Sequence, residues 1–219
     1  MTVKSNQILA IETSSSICGV AIFKNNELVS IVEELADRKH AEIIPSFIEE
    51  VVSDSGISLS KLNAIAISIG PGSFTGLRIG LGFAKGIAYA KRLPIIPVPT
   101  MTAMAFGLKN EKPQKGISLS HSNKVFYQEY NWNNSIPHST EKPVVDKFEL
   151  IKKKISPDDL IFQWNCDNLL SHRNKIFHAT PSAENIGKLA TIKFDDWKVN
   201  NPFDMAPEYI APFAVHSKK

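Results

Sequence analysis

Residues 68–86 read SIGPGSFTGLRIGLGFAKG, and the small residues at the head of this run are of a kind that can hold an anion. A glycine- and serine-rich loop opening onto a helix leaves N–H groups free to face a phosphate. Gly72, Ser73 and Thr75 stand where that contact would be made. Neither common phosphate motif is met: no lysine follows as GxxxxGK[ST] requires, and Gly70, Gly72 and Gly76 are spaced one residue wider than GxGxxG. The same residues have a structural reading. Gly70-Pro71-Gly72 makes a sharp turn, Ser73 or Thr75 can cap the helix, and Gly76/Gly80 and Gly82/Gly86 form a narrow waist. Each helical glycine costs about 1 kcal/mol relative to alanine, so something must come close enough to offset four of them. For Gly82 and Gly86 the expectation is packing inside the protein. For Gly76 and Gly80, flanked by Leu77, Ile79 and Phe83, an internal contact and a contact with another protein stand equally open.

Other reactive side chains form no catalytic set. A metal-dependent phosphotransferase or nuclease needs carboxylates converging on its ions. Glu12, Asp37 and Glu42 are the acids near the first strand, and the 70–76 loop has none. Glu12 therefore reads as a hydrogen-bonded turn residue. No two of the six histidines have the His-x-x-x-His spacing that puts both on one helix face, so no metal site is expected. His40 reads as a polar helix-end residue or a partner contact, and His172 and His178 as surface residues. GxSxG is not met around Ser73, since Gly72 directly precedes it and Thr75 stands where the second glycine belongs. Cys18 and Cys166 fit no disulfide framework, and Cys18 reads as a small buried hydrophobe in a reducing compartment. Lys152, Lys153 and Lys154 read as a solvated helix face.

The elements that must position these residues follow from periodicity. Gln7–Glu12, Ile17–Phe23 and Leu28–Leu35 read as three consecutive strands, with Asn25-Asn26 as a tight turn. Ile43, Phe47 and Val51, with Ile44, Ile48 and Val52 beside them, give a helix from near Ala41 to Gly56, which tolerates Pro45 in its first turn. A strand over 62–70, a helix from about Thr75 to Arg92, a strand over 93–100 and a helix Met101–Leu108 capped by Thr100 complete the order βββαβαβα. That order suggests a mixed sheet covered by helices. Beyond a linker near 110–116, a hairpin turning at 121–124, helices at 146–155 and 182–192 and a strand at 158–165 are expected, with residues 215–219 a frayed tail. The 219 residues carry a net charge of +3, and the surplus is not localised: residues 1–112 hold 11 basic and 10 acidic side chains, residues 113–219 hold 14 and 12. No basic stripe marks a nucleic-acid surface. The first residues lack an apolar signal run and no stretch is long enough to span a membrane, so a cytoplasmic location is expected.

Four stretches, ILAIETSSS, HAEIIPSFIEEV, GPGSFTGLRIGLGFAKGIA and PVPTMTAMA, in that order and spacing, resemble the TsaB (formerly YeaZ) family. The resemblance is dense over residues 7–105. It implies an α/β, actin-like fold of the actin–Hsp70–sugar kinase (ASKHA) class. In it, residues 1–109 form a ribonuclease-H-like mixed-sheet domain, and 110–219 a smaller, divergent α/β domain. It also implies a non-catalytic subunit of the machinery that makes threonylcarbamoyladenosine beside the tRNA anticodon. Such a subunit pairs with the catalytic paralogue TsaD, is joined by the ATPase TsaE, dimerises with itself when TsaD is absent, and meets tRNA through the complex. Family interfaces use the two helices that here run about Ala41–Ser53 and Thr75–Arg92. They put His40, Ile43, Ile44, Phe47, Gly76, Leu77, Ile79, Gly80 and Phe83 at the partner face, so that a leucine at Gly80 should block assembly and spare the fold. The subunit has no cofactor of its own, though ADP or ATP at the partner junction could touch Gly72, Ser73 and Thr75. A small ATP-dependent phosphotransferase is the alternative. Two segments depart from the family pattern: Ser120-His121-Ser122 replaces Asp-Ala-Arg, and Pro207-Glu208-Tyr209-Ile210-Ala211 replaces Pro-x-Tyr-Leu-Arg.

Overall fold

The computed structural model describes residues 6–36, 38–170 and 175–210. Asp37, His172, Ala211, His216 and the 215–219 tail lie outside them. Strands β1 (Gln7–Glu12), β2 (Ile17–Lys24) and β3 (Glu27–Leu35) form an antiparallel meander. It turns at Asn25 and Asn26, whose φ values of 54° and 70° are those of a primed hairpin turn. β4 (Ala64–Ser68) lies parallel to β1, and β5 (Ile95–Val98) parallel to β4, giving the order β3-β2-β1-β4-β5.

Helices α1 (His40–Ser55) and α2 (Phe74–Lys91) cover one face of this sheet. Ile44, Phe47, Val51, Leu81 and Ala84 meet Leu9, Ile11, Val20, Ile65 and Ile67 there. Pro45 is the sixth residue of α1 rather than part of its first turn. The carbonyl that its missing N–H leaves without a helical donor belongs to Ala41, which is exposed. The opposite face, built on Ile8, Ala10, Ala21, Phe23, Ile96 and Val98, is covered by α3 (Thr100–Gly107) and α5 (Ala183–Ile192). Two short helices, α4 (Phe148–Ile151) and α6 (Phe194–Trp197), complete the set.

The second sheet comprises β6 (Lys115–His121), β7 (Lys124–Asn133), β8 (Ile136–Ser139), β9 (Val144–Lys147), β10 (Leu160–Trp164) and β11 (Lys175–His178). Its order is β11-β10-β6-β7-β8, with β9 paired to β7. β10 is parallel to both β6 and β11. The β6–β7 hairpin turns at Ser122-Asn123, inside the expected 121–124 span. Strands β8, β9 and β11 are four residues each and mostly exposed or half-buried, too short and too polar to show a period-2 signal. The helix expected over 146–155 is one turn of α4 followed by a 3-10 turn, because Val144–Lys147 pairs with β7 instead.

Helix α3 joins the sheets. Ala103 and Phe106 pack on the first sheet, while Met101, Met104 and Ala105 pack with Phe126, Tyr130 and Phe162 of the second. A helix buried on both sides is apolar all round. Thr100 does not cap α3 through its side chain; its Oγ1 accepts from the Gly70 amide at 3.1 Å, and its amide donates to the Gly70 carbonyl at 2.8 Å. The division expected at residue 110 is corrected at its far end, because α5 crosses back to roof the first sheet. Residues 199–208 then return along α2 and β5: Val199 bridges Ile95, Lys85 Nζ donates to the carbonyls of Phe203 and Met205 at 2.7 Å each, and the Glu208 amide donates to Ile69 O at 2.8 Å. Among the described residues, no helix is long and apolar enough to cross a membrane.

Candidate functional site

The turn after β1 and the glycine loop after β4 meet at the head of α2. Gly72 lies so close to Ser14 that a Cβ there would sit 2.3 Å from the Ser14 carbonyl oxygen. The Ser73 amide donates to that same oxygen at 2.6 Å, and Ser73 Oγ accepts from the Gly76 amide at 3.2 Å, capping α2. A Cβ on Gly76 would meet the Thr13 carbonyl oxygen at 2.1 Å, and one on Gly80 would meet Thr13 Oγ1 at 2.1 Å. The loop is thus a clamp on residues 13 and 14. The expectation of an amide cradle for phosphate at Gly72, Ser73 and Thr75 is corrected to this extent: the Ser73 and Gly76 amides are engaged inside the fold, while all three expected residues line the cleft described next.

Glu12 is fully buried beneath the clamp. Its Oε1 accepts from the Ser14 amide at 2.5 Å and from Ser68 Oγ at 3.2 Å. Its Oε2, with Thr13 Oγ1 and Ser14 Oγ, is buried without a partner. Burial pushes its carboxyl from 4.5 up to about 7, against the lowering effect of its hydrogen bonds. Burial likewise raises the Cys18 and Cys166 thiols to about 12, so both are unreactive at neutral pH.

Above the clamp, a cleft of about 790 Å³ separates the two sheets. Ser14–Ser16 and the α2 head form one wall, and Ser118–His121, Phe126, Trp164 and Asn165 the other. Both segments that depart from the family pattern contribute here, through Ser120 and His121 and through Glu208, Tyr209 and Ile210. Tyr209 is held by Arg78, whose Nε donates to its hydroxyl at 2.7 Å and whose guanidinium lies 3.7 Å from the centre of the Phe74 ring.

A second concavity is a shallow groove between α1 and α2, lined by Ala41, Arg78, Ile79, Gly82, Phe83, Gly86 and Ile87. This arrangement corrects the expected partner face. Ile44, Phe47, Gly76, Leu77 and Gly80 are buried in the fold and cannot reach another protein. His40 is buried too, with Nε2 3.3 Å from Ile17 O. Ile43, Ile79 and Phe83 remain partly exposed at the rim of the core. Of the two readings open for Gly76 and Gly80 the internal one holds, whereas Gly82 and Gly86, expected to pack inside the protein, are exposed and a Cβ on either would meet nothing within 4 Å. Arg38, Trp164, Gly82, Gly86 and Ile87 were not singled out from the sequence for these surfaces. Counting helical faces outward from the buried Gly76 would have found the glycine pair.

Comparison with known proteins gives consistent matches. The family model for TsaD, tRNA N6-adenosine threonylcarbamoyltransferase, matches residues 22–157. The tRNA threonylcarbamoyladenosine biosynthesis protein TsaB of Escherichia coli is 37% identical over 153 residues, covering 68% of this chain and 66% of that protein, a little under two thirds of its length. TsaB of Buchnera aphidicola subsp. Schizaphis graminum is 32% identical over 161 residues, covering 68% of this chain and 76% of that protein. The solved structure of YeaZ from Pseudomonas aeruginosa superposes with a TM-score of 0.80 at 23% identity, covering 93% of this chain and 99% of that one. At that identity the likeness is one of fold.

Proposed function

The chain belongs to the TsaB family of tRNA threonylcarbamoyladenosine biosynthesis proteins, and from that premise we propose that it is a non-catalytic subunit that supports the catalytic relative TsaD, together with the ATPase TsaE, in the cytoplasm. The observation that carries the proposal is the α1–α2 groove. It is lined by two glycines at which an added Cβ would meet nothing within 4 Å, and Ala41, Ile79, Phe83 and Ile87 line it with apolar surface. A helical Gly-x-x-x-Gly pair facing solvent gives up stability for which the isolated fold shows no return. A helix from another chain can approach closely there and bury the surrounding apolar side chains. The same face serves self-association when TsaD is absent. The chain would act on the chemistry indirectly, by holding TsaD in its working arrangement on tRNA.

The test is reconstitution. The chain, TsaD, TsaE, threonylcarbamoyl donor and tRNA are combined, and modified nucleoside is scored with and without the chain. Gly82→Leu and Gly86→Leu change exposed positions with open space around them. Each should melt no lower than wild type, fail to co-elute with TsaD, and lower modification by more than about tenfold, as loss of a central interface contact does. Co-elution of both variants with TsaD at wild-type yield would overturn the assignment of this face.

A further inference from the structure

The exposed glycines of α2 have a different neighbour on each side. At about 100° per residue, Tyr89 falls within about 20° of Gly82 around the helix, with Arg78 about 40° and Lys85 about 60° to one side. Ile79, Phe83 and Ile87 lie to the other side, where they line the groove with Ala41 of α1. The segment 199–210 runs along the first side. Lys85 Nζ donates to the carbonyls of Phe203 and Met205, the Phe203 ring lies edge-on to Tyr89 with 5.8 Å between centroids, and Arg78 holds Tyr209. Pro202 is buried and Met205 packs on the core beneath α2, so the backbone is fixed on both sides of Phe203. The rings nonetheless face solvent: Tyr89 is 72% exposed, Phe203 54% and Tyr209 43%. They are three of the nine exposed large hydrophobic side chains among the described residues, gathered on one flank of one helix. Exposed rings gathered on a fixed backbone mark a contact surface, whereas single scattered ones do not.

We propose that residues 199–210 are a second wall of the pairing face, facing α1 across the glycines, and that Tyr89 and Phe203 form an aromatic anchor on which the docked helix of TsaD packs. Lys85 is the positioning residue of that anchor. The inference rests on the assignment of the α1–α2 groove to TsaD. The occupant follows from continuity: Gly82 and Tyr89 share one stripe of α2, so a helix that comes close at the glycines passes beside both rings. Lys85 and Arg78 are engaged within the chain and are not free to receive an acidic group, so the side of the TsaD helix that meets the rings is apolar. Rings whose backbone is already fixed and which already touch each other lose little freedom on binding, and buried aromatic side chains dominate the energetics of interfaces.

The test titrates TsaD into the full chain by calorimetry, with thermal melting and the self-association of each variant measured alongside. Tyr89→Ala and Phe203→Ala change exposed side chains, so each should melt within about 2 °C of wild type. Each should weaken TsaD binding at least about tenfold, and the double variant should lose less than the product of the two, since the rings act as a pair. Lys85→Met keeps the apolar stem and removes the donor to both carbonyls; it should also weaken TsaD, and Lys85→Arg should restore binding in part. Leu150→Ala, at an exposed apolar residue of α4, should bind as wild type. Wild-type affinity in both ring variants would overturn the proposal; if Gly82→Leu and Gly86→Leu still fail to co-elute, the groove keeps its assignment and only the second wall loses its role. Weakened self-association with unchanged TsaD affinity would overturn it too, because the rings would then serve a second copy of this chain. So would a loss of TsaD affinity that appears in both ring variants only together with a lower melting temperature, which is the mark of a structural role.

Discussion

Glu12 shows how one buried carboxyl ties pH to stability. Oxygens of three consecutive residues, Glu12 Oε2, Thr13 Oγ1 and Ser14 Oγ, are buried without partners, and a proton on Glu12 would supply a donor among them. Its folded value of about 7 lies above the ordinary 4.5, so the folded state binds that proton more tightly than the unfolded chain does. The associated stability is complete below pH 4.5, declines as pH rises, and is lost above about 7. The span amounts to roughly 3 kcal/mol. Glu12→Gln keeps an acceptor for the Ser14 amide and cannot ionise. It is expected to be more stable than wild type at pH 8 by up to about that amount, with the difference shrinking toward pH 5. Urea unfolding of both proteins at the two pH values measures this, and parallel pH profiles would refute it. The sequence marked Glu12 as hydrogen-bonded rather than metal-bound. It could not show the Ser68 contact, because Ser68 lies 56 residues away and is brought in by the parallel β1–β4 pairing.

Helix α2 carries two glycine pairs on different faces. Positions 76 and 80 are one turn apart and face inward, and positions 82 and 86, about 240° further round, face out. Identical spacing in sequence thus serves opposite ends. Gly76→Ala adds a methyl against the Thr13 carbonyl, which is backbone and cannot rotate away. It should destabilise by about 1–3 kcal/mol despite the better helix propensity of alanine. Gly82→Ala adds a methyl in open space and should stabilise the isolated chain by about 0.5–1 kcal/mol. Thermal unfolding of the two variants distinguishes them, and shifts of the same sign would be contrary to the geometry. Leucine at Gly80 belongs with Gly76→Ala, since Thr13 Oγ1 and Ile67 Cδ1 close the space. The existence and bounds of α2 were legible in its flanks. Its rotation was not, because Leu77, Ile79, Leu81 and Phe83 make the stretch apolar on several sides.

At the scale of the molecule, the last third of the chain completes the first sheet. Ser182 caps α5 by accepting from the Glu184 amide at 3.1 Å, and Glu33 on β3 accepts from Ser182 Oγ and the Ala183 amide. Gly187 admits the Phe23 ring, whose Cε2 would lie 2.0 Å from a Cβ there. A fragment of residues 1–109 keeps every strand of that sheet and loses α5 from above Ile8, Ala21 and Phe23. Each large side chain so uncovered forfeits about 1.5–3 kcal/mol, against a total stability of about 5–15 kcal/mol. The fragment is therefore expected to aggregate or to give a poorly dispersed NMR spectrum, whereas 1–210 folds. A well-dispersed spectrum from 1–109 would show that the sheet can do without its roof.

Local patterning determined the elements of the first hundred residues. Alternation in Ile65–Ile69, the Asn25-Asn26 turn and the three-to-four spacing of Ile44, Phe47, Ile48 and Val51 are properties of neighbouring residues, and each survived in the fold. The motifs were dense enough to give the family as well. What only tertiary structure decided was direction: which glycines turn inward, which short polar strands find partners, and where α5 returns. Those outcomes depend on contacts between residues tens to more than a hundred positions apart, such as Thr13 with Gly80 and Glu33 with Ala183. A periodic pattern encodes that a face is apolar, but the surface it meets is set by the rest of the chain.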